Sequence, residues 1–183
     1  MDETKRVFIG AAGYTYLRDL SVGLKILEEI KRLEWPVGVE IDDLSPGGPI
    51  AAVHRFRDVP PYDRVILVGA VGRGRQPGQM YRYRWDGQLP DQEEIQGRVG
   101  EGVTGVISLD NLLIVGGYFA IWPPDVVIVE IEPCDEGWGP DFSEPVQALI
   151  SPAIQVVQLA AVVSLDGLST SPLAAWEARF LAT

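Results

Sequence analysis

The sequence predicts one α/β domain built in three layers, with a mostly parallel sheet and an antiparallel edge strand. Three observations predict it. Short apolar runs that read as buried strands recur at residues 7–9, 37–41, 64–68 and 125–131. Segments with helical apolar spacing stand between them, the alternation that builds parallel sheets. One further segment, 79–85, sets Tyr81, Tyr83 and Trp85 against Arg82 and Arg84, the period-two pattern of a half-exposed edge strand.

The elements follow in order. Val7 to Ile9 runs into Gly10-Ala11-Ala12-Gly13, a strand ending in a turn. Leu20, Leu24, Leu27, Ile30 and Leu33 recur at helical spacing, and Trp35-Pro36 closes that helix. The second strand ends on Asp42-Asp43, Pro46-Gly47-Gly48 turns the chain, and residues 50–56 form a short helix. After the strand at 64–68, residues 69–78 read as a glycine-rich loop that leaves Arg73 and Arg75 in solvent. Residues 88–105 read as a long polar loop. Ser108 caps a helix that Gly116-Gly117 stops near Val115. Ser143 and Ser151 stand in N-cap positions, with Pro152 in the first turn of a helix reaching about Ser164. Ser171-Pro172 opens a last helix with a Leu173, Trp176, Phe180 stripe, so the domain spans 1–166 and a helical extension spans 167–183.

Composition narrows the function classes. The 183 residues suit one domain, and 46% apolar against 22% charged residues is enough for a core. Fifteen basic against 26 acidic residues give a net charge of −11. That balance disfavours nucleic acid and anionic membranes, both of which reward positive charge. Cys134 is the only cysteine, so neither an intrachain disulfide nor a cysteine zinc site forms. The start Met-Asp-Glu-Thr-Lys lacks the marks of a signal peptide, and no apolar run approaches the ~18 residues of a membrane span. The expectation is a cytoplasmic protein with no membrane insertion.

Sites in open parallel sheets gather at the carboxyl ends of the strands. The first such loop, Gly10 to Tyr14, has Ala12 and Thr15 where a dinucleotide-binding turn needs glycine. Asp42 and Asp43 close the second strand, where a ligand role competes with simple turn formation. His54 is the only histidine and reads as a surface residue. Cys134 lies beside Asp135 and Glu136, neighbours that oppose a reactive thiolate. The stripe Tyr81, Tyr83, Trp85 and the terminal Trp176 offer partner contacts, against the plainer reading that they pack on the domain's own core.

The order of fragments resembles the nickel-dependent endopeptidases that mature nickel–iron hydrogenases, through about Leu159. The fragments are Val7 to Gly13 with Asp19 and Val22-Gly23, then Val39 to Asp43, Asp63 to Val71, and Pro77-Gly78. Trp122 to Pro133 and Trp138 to Val146 complete the series. The resemblance implies a nickel site of acids at the opening loop and a strand end, with a histidine in the loop before the third helix. It carries the opening acid to Leu20, the strand acid to Asp43, and the histidine to the neighbourhood of Gly105, where there is none. The family's asparagine falls on Tyr14 and its third-strand aspartate on Gly69. Asp43, Asp19 and Asp42 remain as candidate metal ligands. The implied function is binding to a hydrogenase large subunit or related assembly partner, without peptidase activity or a resident cofactor. Two alternatives stand beside it. One is an active nickel endopeptidase that trims the C-terminus of the large-subunit precursor. The other is an interaction scaffold in an unrelated complex.

Overall fold

The computed structural model describes residues 5–162. β1 (Val7–Ala11), β2 (Val39–Asp43), β3 (Arg64–Ala70) and β5 (Val126–Ile131) run parallel, and β4 (Met80–Arg84) runs antiparallel to β5. The sheet order is β2-β1-β3-β5-β4. Both faces of the central strands are covered, which explains their unbroken apolar runs. Ile66 and Val68 of β3 face a core shared with α1 (Val22–Ile30) and α5 (Glu144–Val162). Val65 and Leu67 face the opposite core, shared with α2 (Gly48–Arg57) and α4 (Leu109–Tyr118). Parallel strands place all their carboxyl ends, and the amino end of α4, at one edge of the molecule.

Several elements differ from the sequence reading. The buried stripe of α1 is Val22, Ile26, Leu27 and Ile30, whereas Leu33 lies past the helix and is exposed. Trp35 donates its indole N–H to the Ile30 carbonyl (2.7 Å) and satisfies the helix end. Residues 92–103, read as loop, form α3 (Gln92–Val103). Asp91 caps it by accepting from the Glu94 amide (3.0 Å), and Ile95 and Val99 pack on Ile114 of α4.

Ser108 caps α4 as expected, accepting from the Asn111 amide at 3.1 Å. The helix nevertheless runs through Gly116-Gly117 to Tyr118. These glycines are packing sites for indoles. A Cβ at Gly116 would stand 2.4 Å from the Trp122 ring, and one at Gly117 would stand 2.5 Å from Trp85. Ser151 starts nothing: α5 is one helix from Glu144 with Pro152 inside it, on the exposed side where water can solvate the freed carbonyl. By length and composition alone α5 could cross a membrane. Its Val146, Ile150, Ala153, Val157 and Ala161 stripe is buried on the sheet.

The β4 stripe turns inward. Tyr83 and Trp85 are 4% and 9% exposed and belong to the α2/α4 core, so the partner-contact expectation is corrected for them. Tyr81 is half-buried beneath the Arg75 guanidinium, 3.7 Å from its ring centroid. Trp176 and the 167–183 extension, with its Leu173 and Phe180, lie outside the described residues.

Candidate functional site

The carboxyl ends of β1 and β3 open into a cleft of about 360 Å³. Its walls are Ala12 to Tyr14 after β1, Ala70 to Gly72 after β3, and Val106 to Ser108 with Asp110 at the start of α4. Leu20, Arg98, Glu101 and Glu136 complete it. Tyr14 holds two walls together, its hydroxyl accepting from the Ile107 amide at 2.9 Å. Gly13 is fixed from below, donating its amide to the Ser45 hydroxyl (3.1 Å).

The candidate ligands do not meet there. Asp19 is fully buried and saturated. Its carboxylate accepts from the amides of Cys134 (2.8 Å), Asp135 (2.9 Å) and Ser143 (2.8 Å) and from the Ser143 hydroxyl (2.8 Å). Ser143 therefore serves Asp19. Asp43 accepts from the Ser45 amide (2.8 Å) and shapes the turn after β2. Asp42 pairs with Arg55 of α2 and with Lys31 (3.5 Å). Partial burial pushes the Asp42 carboxyl upward, but the Arg55 hydrogen bond and charge outweigh it and hold it below the usual carboxylate range. His54 is exposed on α2, and Cys134 is exposed beyond β5.

The charges that do converge escaped the sequence reading. Arg73 is buried, with a side chain only 2% exposed. Its Nη2 donates to Asp110 Oδ1 (2.6 Å) and to Glu130 Oε2 (3.0 Å), and its Nε donates to Glu130 Oε1 (2.9 Å). The Tyr83 hydroxyl donates to Glu130 Oε2 (2.7 Å), and Arg75 pairs with Glu130 (2.5 Å) and Glu132 (3.0 Å). Glu132 also accepts the amides of Arg73 (2.6 Å) and Gly74 (2.8 Å). The loop after β3 is thus fastened from within, and its two arginines are structural rather than solvated. Burial disfavours the Arg73 charge, but Glu130 and Asp110 outweigh it and push its pKa further up. Burial and Glu130 push the Tyr83 hydroxyl up as well. The available signal was Glu130 and Glu132 themselves, acids in or just past an otherwise apolar strand that need buried partners.

No protein-family model matches the sequence, and no curated protein matches it. Solved structures do. The hydrogenase 2 maturation peptidase from a Thaumarchaeota archaeon matches with a TM-score of 0.61 at 21% identity, over 87% of this chain and 100% of its own. The hydrogenase maturating endopeptidase HybD from E. coli matches at 0.61 and 23%, over 84% and 90%. The NiFe hydrogenase maturation protease HycI from Thermococcus kodakarensis matches at 0.62 and 17%, over 87% and 94%. This is the hydrogenase maturation endopeptidase fold.

The endopeptidase fold raises the question of nickel, and the residues here do not fit it. Leu20 in the cleft wall cannot coordinate a metal. Gly69, which takes the place of the expected third-strand acid, has no room for one: a Cβ there would stand 2.9 Å from the Ala12 carbonyl oxygen. Of the three carboxylates that line the cleft, Asp110 is bound to Arg73, Glu101 is bound to Arg98 (3.0 Å), and Glu136 is a single exposed acid. Among the described residues no three His, Cys, Asp or Glu side chains converge to hold an ion. The cleft lacks the imidazole donors that suit nickel.

Proposed function

We propose that this protein binds a hydrogenase large subunit or a related assembly partner and does not cut it. The observation that carries the reading is the state of the cleft carboxylates. Asp110 shares the Arg73 guanidinium with Glu130, Glu101 is bound to Arg98, and Leu20 stands in the cleft wall at the position to which the resemblance carries a metal-ligating acid. A scaffold that keeps the strand-end cleft while two of its three acids are bound to arginines retains a binding surface and lacks a ligand set for a hydrolytic metal. A rearranged peptidase site around Asp19, Asp42 and Asp43 finds no support, because each of the three already serves a turn, a loop or an arginine.

The experiment is affinity capture of the protein from its native cells, followed by mass spectrometry of the captured chains and their C-terminal peptides. The reading expects a hydrogenase large subunit carrying its intact extension. A trimmed subunit that appears only when nickel is supplied restores the peptidase. Absence of any hydrogenase subunit removes the proposed partner.

A further inference from the structure

The two most exposed aromatic side chains on the described surface sit on paired loops, each two residues from a residue that lines the cleft, Tyr14 or Glu136. Trp138 is 80% exposed and Tyr16 is 63% exposed. They sit on two loops zipped to one another. Gly139 donates its amide to the Tyr16 carbonyl (3.0 Å), Arg18 donates its amide to the Gly139 carbonyl (3.1 Å), and Arg18 Nε donates to the Trp138 carbonyl (3.2 Å). The Arg18–Asp135 ion pair (2.7 Å) and the four donors on Asp19 lock the same loops to the body of the fold. Tyr16 and Arg18 hold positive φ angles of 64° and 36°, which L-residues adopt only when their surroundings impose it. A rigid platform that displays a solvated indole and phenol pays little entropy when something covers them. Isolated exposed apolar residues need no explanation, but two large aromatics displayed on paired loops that flank cleft-lining Tyr14 and Glu136 do.

The charge around them selects what fits. Residues 135–144 carry Asp135, Glu136, Asp141 and Glu144 and no lysine or arginine. Arg18 is the base facing this group, and Glu136 also lines the cleft. An exposed indole face in an acidic surround attracts a cation, and the long stems of arginine and lysine cover aromatic surface well.

We propose that Tyr16 and Trp138 form a docking surface for a basic segment of the partner protein, with Glu136 drawing that segment toward the cleft. The inference rests on the reading of this chain as a partner-binding protein. It also moves the contact surface from β4 to the loops after β1 and β5.

Two binding arms test it. In the first, a fluorescein-labelled Arg-Leu-Arg-Leu-Arg peptide is titrated with wild-type protein, with the Tyr16→Ser/Trp138→Ser double variant and with Glu136→Lys. The serine variant weakens binding about tenfold or more, as expected for aromatic anchors. Glu136→Lys weakens it several-fold, added salt does the same, and a Glu-Leu-Glu-Leu-Glu peptide does not bind. Melting temperatures of the variants match the wild type because all three side chains are exposed. Equal binding by wild type and serine variant, or no binding of the basic peptide by wild type, overturns the proposal. Wild-type self-association that Trp138→Ser abolishes also overturns it and assigns the surface to a second copy. In the second arm the hydrogenase large-subunit precursor replaces the peptide. If both proteins bind it equally, the docking surface falls and the proposed function stands. If neither binds it while the peptide arm holds, the proposed function falls and the docking chemistry stands.

Discussion

Arg73→Met is the perturbation that most sharply probes the interior of the site. The side chains of Arg73, Asp110 and Glu130 are 2%, 5% and 0% exposed, so water cannot replace the guanidinium. Removing it leaves Glu130 with the Tyr83 hydroxyl and Arg75, but strips Asp110 of the guanidinium that binds both its oxygens. Breaking a buried pair from one side costs about 3–5 kcal/mol. In a chain of this size each kcal/mol moves the melting temperature by about 2–4 °C, so thermal unfolding should fall by roughly 6–20 °C. The triple variant Arg73→Met/Asp110→Asn/Glu130→Gln removes the charges together and should recover much of the loss, because neutral groups suffer a smaller burial penalty. Differential scanning calorimetry at pH 7 reads both. A loss below about 1 kcal/mol for Arg73→Met, the size of an exposed pair, would refute the description of a buried network.

Three further outcomes follow from the same structure. Asp19→Ala orphans the amides of Cys134, Asp135 and Ser143; it should cost about 3 kcal/mol or more and speed hydrogen exchange at those amides, read by mass spectrometry. Gly117→Ala ordinarily stabilises a helix by up to about 1 kcal/mol; here it should destabilise, because the new methyl meets the Trp85 ring at 2.5 Å, and a rise in melting temperature would contradict that packing. Glu40 and Asp42 have lowered pKa values, Glu40 chiefly through the Tyr62 hydroxyl and Asp42 through Arg55 working against burial. Their stabilising contribution is therefore complete above the unfolded carboxylate pKa of about 4 and is lost as pH falls through the lower folded values. Arg55→Gln should flatten that acid limb of stability against pH, measured by urea unfolding from pH 7 downward.

The strands were legible because the central ones are buried on both faces and so carry unbroken apolar runs, as in β3 and β5. The cap at Ser108 was legible because its chemistry is local. What stayed hidden depended on distant partners. Gly97, Gly100 and Gly102 made α3 look like loop, although Asp91 with Glu94 three residues on, and Ile95 four before Val99, carried a helix signature. Gly116-Gly117 looked like a stop because the indoles that need the space come from Trp85 and Trp122, outside the helix. Arg73 looked solvated because its partners, Asp110 and Glu130, lie 37 and 57 residues away. The resemblance pointed to Leu20 and Tyr14, which line the cleft, and to Asp43 and Gly69, which do not. It did not reveal Asp110, whose place in the first turn of α4 resembles ordinary helix-end chemistry. Nor did it show that Asp19 is structural, since four donors on one carboxylate are a property of the folded loops alone.

The central claim is binding without cleavage, and intact mass spectrometry of the large-subunit precursor tests it most directly. The purified protein is mixed with the precursor in equal amounts, with and without excess nickel, and complex formation is verified by gel filtration before the mass is read. The account predicts a stable complex whose large subunit keeps its full mass under both conditions. A subunit shortened at its C-terminus in the presence of nickel, and not in its absence, would contradict it.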